Sequence, residues 1–334
     1  MSWRAISACA LLLALLGPVP TAAASDTGPL FRFHDPRISE SSGLVDLGST
    51  MVTTNDSGHP SQLYVVGTGG QTVGVTDFQA PVDDVEALAP AGGSSVWVGD
   101  IGDNQASRKF VTVYRVSLGA GNRTVSAPAY RLVYPKRHAH DAESLFADRQ
   151  GRLYVVTKTF FGGTVYRAPL RLSRSRDNRL QPIGGVREFA TDAALMRDGR
   201  HLLVRGYDSA GVYAFPSLHR VGDFMLPAQR QGEGISVGPG NRIRLSSEGA
   251  HSVVQQVALP SALARVVNRP ASPSPGPSPS ATPSPPATAA RPDPAPDSAS
   301  SSGPFGHGWL RWTIPGVIAL GAVGIGLGLR RRSG

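Results

Sequence analysis

The sequence predicts an all-β chain folded as a five-bladed β-propeller. The first observation behind that prediction is a repeat. Five short segments each place an acidic residue near a small residue and Leu or Ile: Glu40-Ser-Ser-Gly-Leu44, Asp84-Val-Glu-Ala-Leu88, Asp141-Ala-Glu-Ser-Leu145, Asp192-Ala-Ala-Leu195 and Glu233-Gly-Ile-Ser236. Each is followed by a polar cluster: Asn55-Asp-Ser-Gly58, Gly99 to Asn104, Thr157-Lys158, Arg205 to Asp208 and Ser246 to Gly249. A period of about 40–57 residues is the mark of a propeller or solenoid. The second observation is local. β-Branched and aromatic runs alternate with Gly, Asp and Asn punctuation over residues 30–260, and no helical period interrupts them. The third is an orphan apolar segment, Leu30 to Phe33, which can supply the strand that the last unit lacks. Ring closure of this kind removes an exposed strand edge.

Taken in chain order, residues 1–24 read as a secretory signal. Arg4 precedes an apolar core from Ala8 to Leu16, and Ala22-Ala-Ala24 is a small-residue cleavage site. The single cysteine, Cys9, lies inside this signal, so the mature chain carries no thiol for a disulfide or for zinc. Residues 25–269 form the extracytoplasmic propeller, with units opening near Gly43, Glu86, Glu143, Asp192 and Glu233. The third unit is the clearest: strands Glu143–Ala147, Leu153–Thr157, Thr164–Ala168 and Val186–Ala190, with Asp148-Arg-Gln-Gly151 as a turn. Four antiparallel strands per repeat make a blade. The long gap between the second and third units leaves a six-bladed ring as the alternative.

Residues 270–303 are almost entirely Pro, Ser, Ala and Thr, a composition that buries no core and reads as an extended linker. After a juxtamembrane stretch at 304–311, residues 312–329 form an uncharged run ahead of Arg330-Arg-Arg332. As a helix it spans about 27 Å, close to a bilayer core, and the arginines place the 330–334 tail in the cytoplasm. The expected location is therefore the cell membrane, single-pass, with the propeller outside. Release of residues 25–334 from membranes by high salt would refute that anchorage.

The net charge of +9 divides unevenly. The signal holds one arginine and the segment from Pro270 a net three positive charges, which leaves +5 on the propeller region. Its basic residues are nearly all Arg, with Lys only at 109, 136 and 158. No basic run is interleaved with aromatics, so nucleic acid is excluded as the expected partner.

In an antiparallel blade, the start of the innermost strand and the end of the second share one rim, so the ten signature segments converge on one channel mouth. They hold 12 of the chain's 24 Asp and Glu, which predicts an acidic mouth in a basic shell. Crowded carboxylates must share protons, meet cations or accept several hydrogen bonds. A hard cation, with Ca²⁺ the best match, takes six to eight oxygens in flexible geometry. The candidate ligands are Glu86, Asp100, Asp103, Asn104, Asp141, Glu143, Asp192 and Glu233, with Asp56, Asp84, His140, Asp208 and Glu248 as further mouth residues. Lys158 and Arg205, placed at equivalent positions of the third and fourth units, offer the competing solution of a salt-bridge ring. His138-Ala-His140 has alternate-residue spacing for a transition metal but falls in a loop between units. H-E-x-x-H and Walker patterns are absent from the sequence.

The segments Asn55-Asp-Ser-Gly58, Val96 to Asn104, His140 to Leu145, Gly151 to Lys158, Gly232-Glu-Gly-Ile235 and Ser246-Ser-Glu-Gly249 resemble a group of uncharacterised secreted actinobacterial β-propeller proteins. More loosely, they are similar to phytase-like and esterase-like propellers. The likeness spans roughly residues 38–258, and its phytase-like side implies Ca²⁺ at the mouth and hydrolysis of phosphate esters there. The chain departs from that pattern in offering only Lys158 and Arg205 for an anion.

The leading expectation is a membrane-anchored surface binding or scaffold module with a Ca²⁺-stabilised mouth. Its partner would be a cell-wall polymer, a protein or a small anionic ligand. The alternative is a Ca²⁺-dependent phosphate-ester or ester hydrolase, with Lys158 and Arg205 holding the anion and Glu143 or Glu233 as base.

Overall fold

The computed structural model describes residues 27–270. The expected signal, the linker beyond Pro270, the juxtamembrane stretch, the 312–329 span and the basic tail lie outside the described residues. Among the described residues no helix is long and apolar enough to cross a membrane.

Five sheets make five blades. Blade one runs outward through Ser41–Asp46, Thr50–Asn55, Gln62–Gly67 and Thr72–Asp77, and blade two through Val85–Pro90, Ser95–Asp100, Val111–Ser117 and Ala129–Val133. Blade three is Ala142–Ala147, Leu153–Thr157, Gly163–Arg167 and Gln181–Val186. Blade four is Asp192–Leu195, His201–Arg205, Ser209–Ala214 and His219–Met225. Blade five has only three strands from its own stretch of chain, Gly232–Val237, Ile243–Ser247 and Val253–Val257, and Gly28–Arg32 completes it in antiparallel register, Gly28 opposite Gln256 and Arg32 opposite Val253. The orphan N-terminal segment thus locks the ring.

The extra length that left room for a sixth blade does something else. Gly121–Thr124, from the outer turn of blade two, pairs in parallel with the outer strand of blade one. Asn178–Arg179, from blade three, pairs in parallel with the outer strand of blade two. These are clasps between neighbouring blades. The outer strand of blade three also lies earlier than the sequence suggests, at Gln181–Val186, because Val186 to Ala190 leads across to blade four. Tight turns fall where Gly and Asp punctuation puts them, with Gly151 and Gly199 at φ +80° and +67°, a region that costs a side chain energy.

The core is five apolar clusters, one for each interface between blades. Val45 and Val52 meet Leu88 and Val98 between blades one and two, and Phe31, Phe33 and Val254 meet Leu44 and Val66 between blades five and one. Burial of a side chain of this size contributes about 1.5–3 kcal/mol. The last described element, the helix Ser261–Val267, buries Leu263 and Val267 against the cluster shared by blades four and five.

Closure at the blade five to blade one interface makes Phe33, which is fully buried, a site of large effect. Phe33→Ala is expected to lower unfolding free energy in urea by about 3–5 kcal/mol, whereas Leu30→Ala, on the exposed side of the closing strand, shifts it by less than about 0.5 kcal/mol. Equal effects from the two changes would mean that the strand does not seal the ring.

Candidate functional site

Four of the five inner strands begin with a β-bulge. The register slips between Ser41 and Leu44, Val85 and Ala87, Ala142 and Ser144, and Gly232 and Ile235, while blade four is regular from Asp192 onward. A bulge re-aims the side chain it carries. The residues at these slips are Ser42, Glu86, Glu143 and Glu233, and Ala193 stands at the matching place in blade four. Three glutamates are therefore turned toward one channel mouth, each about 95% buried.

Around Glu86 the crowding is greatest. Carboxylate oxygens of Asp56, Asp84 and Glu86 lie within 4.8 Å of one another. At that separation two full charges repel by about 3–4 kcal/mol at an effective dielectric of about 20. Among the described residues none of the three forms an ion pair, and Asp84 Oδ1 is buried without a partner. Burial, reinforced by Glu143, Asp56 and Asp84, pushes the Glu86 carboxyl up to about 11. Burial and the charges of Asp56 and Asp141 push Asp84 up to about 6, and burial also raises Asp56. The cluster is held from beneath. The backbone amides of Asp83 and Asp84 donate to Asp100 Oδ1, which also takes a hydrogen bond from Arg108 Nη1 at 3.0 Å. Gly102 lies so close that a Cβ there would collide with the Asp84 and Glu86 carboxylates. Ser42 Oγ donates to the backbone carbonyl of Glu86 at 2.5 Å.

Across the mouth, Lys158 Nζ pairs with Glu143 Oε1 at 2.7 Å and donates to Tyr207 Oη at 3.3 Å. Burial raises Glu143 to about 8 even though Lys158 draws it down. Burial likewise raises Glu233 to about 7 against the pull of Lys158. Glu233 Oε1 accepts from Gln231 Nε2 at 3.3 Å, and its Oε2 is buried without a partner. The same Gln231 amide donates to Glu248 Oε1 at 2.6 Å, which holds Glu248 beside Glu233. Glu40 closes the rim through His59 Nε2 at 2.5 Å.

Several residues that the sequence places in the mouth serve elsewhere. Asp192 is fully buried and accepts the amides of Ala193 and Ile235, both at 2.8 Å, so it braces blade four to blade five. Arg205 pairs in register with Asp192 as Thr157 pairs with Ala142, so Lys158 stands one residue further on and faces the opposite way. Arg205 is fully buried, donating to the carbonyls of Gly234 and Ser246 and to Gln229 Oε1, and burial lowers it to about 10. Asp103 accepts the amides of Ser107 and Arg108, and its own amide donates to Asp141 Oδ1, linking blades two and three. Asn104 and Asp208 are exposed. His140 packs edge-on against Tyr134 at 4.9 Å and lies 3.3 Å from Tyr166 Oη, and His138 is exposed.

No family model matches the chain, and no curated protein matches it in sequence. Solved structures do. A gluconolactonase from Xanthomonas campestris, XC5397, aligns over 69% of this chain and 82% of its own at 14% identity and a TM-score of 0.42. A luciferin-regenerating enzyme aligns over 68% and 76% at 11% identity and TM-score 0.40, and a glucose dehydrogenase over 70% and 99% at 10% identity and TM-score 0.40. At these values no residue role is carried across.

Carboxyls with raised pKa bind more protons in the folded than in the unfolded chain, so stability falls as pH rises between the two values. For Asp84, Glu143 and Glu233 that window runs from about 4 to about 8. In EDTA the thermal midpoint is expected to fall steadily from pH 5 to pH 8. Glu86→Gln, which removes the most strongly perturbed carboxyl, is expected to flatten the decline. A midpoint that rises over this range would contradict the charge crowding.

Proposed function

We propose that the mouth is a divalent-cation-dependent hydrolytic site for a small ester, with Asp56, Asp84 and Glu86 as the residues that hold the cation. The observation that carries this reading is the trio itself: three carboxyls within 4.8 Å of one another, one oxygen buried without a partner, and the neighbouring cations Lys158 and Arg108 bonded to other acids, Glu143 and Asp100. All-oxygen donors that are mostly carboxylate suit a hard ion such as Ca²⁺. Asp100, Asp103, Asp141 and Asp192 are left out of the donor set, because their hydrogen bonds serve backbone amides and Arg108. When bound, such a cation supplies Lewis acidity toward a carbonyl or phosphoryl oxygen.

The chain's own residues divide the remaining work. Glu233 is the proton acceptor, with an oxygen free of other partners and a pKa near 7, where a general base works well. It takes a proton from water as the water oxygen bonds to the ester carbon. The bond from that carbon to the alcohol oxygen then breaks, and the alcohol leaves with a proton returned from Glu233. Lys158, kept charged by Glu143, faces the negative charge that develops on the substrate. Arg205 plays no part beyond packing. Delivery of the mouth to the outer face of a membrane by residues 312–329 belongs to the same proposal, supported by the hydropathy and flanking arginines of that segment.

The test joins stability to turnover. Ca²⁺ in excess is expected to raise the thermal midpoint of the wild-type protein by mass action, and Asp84→Asn with Glu86→Gln to abolish that rise. Glu233→Gln is expected to keep the rise and to lower kcat on short-chain esters about 10²–10⁴-fold. A Ca²⁺-dependent rise with no hydrolysis of carboxylic or phosphate esters would return the mouth to a binding role.

A further inference from the structure

On the same rim as the carboxyl trio, at the Lys158 and Glu143 side of the mouth, the chain builds an aromatic surface that the hydrolytic reading leaves unused. Phe160 stacks on Phe189 with ring centroids 5.3 Å apart and planes 25° from parallel. Phe189 in turn meets Tyr207 at 6.0 Å. Lys158 Nζ lies 5.0 Å from the Phe189 ring centre and 5.5 Å from that of Tyr207, which ties the rings to the Glu143 side of the mouth. The rings come from three places: the turn after the second strand of blade three, the crossing into blade four, and the end of the second strand of blade four. All three are mouth-side segments. The turn is fixed by Gly162, at φ +108°, where a Cβ would collide with the carbonyl of Val186. It is closed by the Gly162 amide donating to the Thr159 carbonyl at 3.1 Å.

Phe160 is 88% exposed and Phe161 fully exposed, among the largest apolar exposures on the described surface. A phenylalanine placed only for packing would lie inward. Here one face of Phe160 covers Phe189 and the other is offered to solvent next to the charged mouth. We propose that this shelf binds a planar aromatic ring carried by the ester, which stacks on Phe160 while its oxygens reach the carboxyl trio. The inference rests on the hydrolytic reading for the ester and on the shelf alone for the ring.

The chemistry of the surface selects the ring over other apolar groups. An alkyl chain gains most from a walled groove, and the shelf offers a face. A sugar ring needs polar partners around its edge, and Lys158 Nζ, which lies over these rings, is already bonded to Glu143 and to Tyr207 Oη. An aromatic ring needs only the face, in the offset arrangement that Phe160 and Phe189 already show.

The full-length protein is to be titrated with phenylacetate and cyclohexylacetate, each in Ca²⁺ and in EDTA, with saturation transfer to the ligand protons as the readout. Phenylacetate is expected to bind about five-fold tighter than cyclohexylacetate. Phe160→Ala and Phe160→Leu are both expected to erase that preference, since leucine restores apolar area without a ring face. The exposure of Phe160 leaves the thermal midpoint of both variants unchanged. Equal binding of the two ligands, or a preference that survives both substitutions, overturns the shelf, as does Phe160-dependent binding of methyl glucoside in place of phenylacetate. A ring preference that persists in EDTA with no gain from Ca²⁺ upholds the shelf and removes the cation reading.

Discussion

Mutual repulsion among carboxyls gathered at one end of a closed ring is the constraint on which the rest of this structure depends. Closure of blade five by Gly28–Arg32 brings the five inner strands around one axis, and the bulges at Glu86, Glu143 and Glu233 turn those side chains toward it. The ring cannot relax to separate them without opening an apolar interface such as the one around Phe33 and Val254. Packing energy, spread over five clusters, thus holds charges at distances they would not choose in water. The fold meets part of the cost internally. Lys158 neutralises Glu143, Gln231 bridges Glu233 and Glu248, and His59 meets Glu40. Among the described residues Asp56, Asp84 and Glu86 have no such partner, and protons or a cation must serve them.

The second theme is the division of the signature acids into two jobs. Asp100, Asp103 and Asp192 spend their oxygens on backbone amides or on Arg108, and they hold loops and neighbouring blades in place. Their rigidity sets the geometry of the others. The amide of Asp84 is fixed by Asp100, which is fixed by Arg108, and the glycine at 102 leaves room for the carboxyls. The V-G-D-I-G-D-N segment is therefore a support for the mouth.

Much of this was legible in the residues. The repeat, the four-strand units, the turns at Gly151 and Gly199 and the closing role of the Leu30–Phe33 region follow from periodicity and punctuation, which are local properties. Sequence failed where a single residue of register decides the outcome. Lys158 and Arg205 sit at the ends of equivalent strands, yet Arg205 is opposite Asp192 while Lys158 lies one position beyond the Thr157 and Ala142 pair. With a side-chain period of two, that step separates a mouth lysine from a buried brace. The same step buries Asp192, because blade four lacks the bulge that the others share. Ser42 is hidden in the sequence for a related reason: it occupies the glutamate's place in blade one, which shows only when the five units are aligned on Leu44, Leu88, Leu145, Leu195 and Ile235. The parallel clasps at Gly121–Thr124 and Asn178–Arg179 are too short for any strand signal, which is why their length suggested a sixth blade.

The central claim is that the trio holds protons until a cation replaces them, and calorimetry tests it most directly. Ca²⁺ is titrated into the protein at pH 7 in buffers of different ionisation enthalpy, so that the slope of apparent enthalpy against buffer enthalpy counts the protons exchanged. The account predicts one Ca²⁺ bound per chain with release of about one proton or more, since Glu86 is protonated at that pH before the ion arrives. Binding without proton release, or no binding at all, would contradict it.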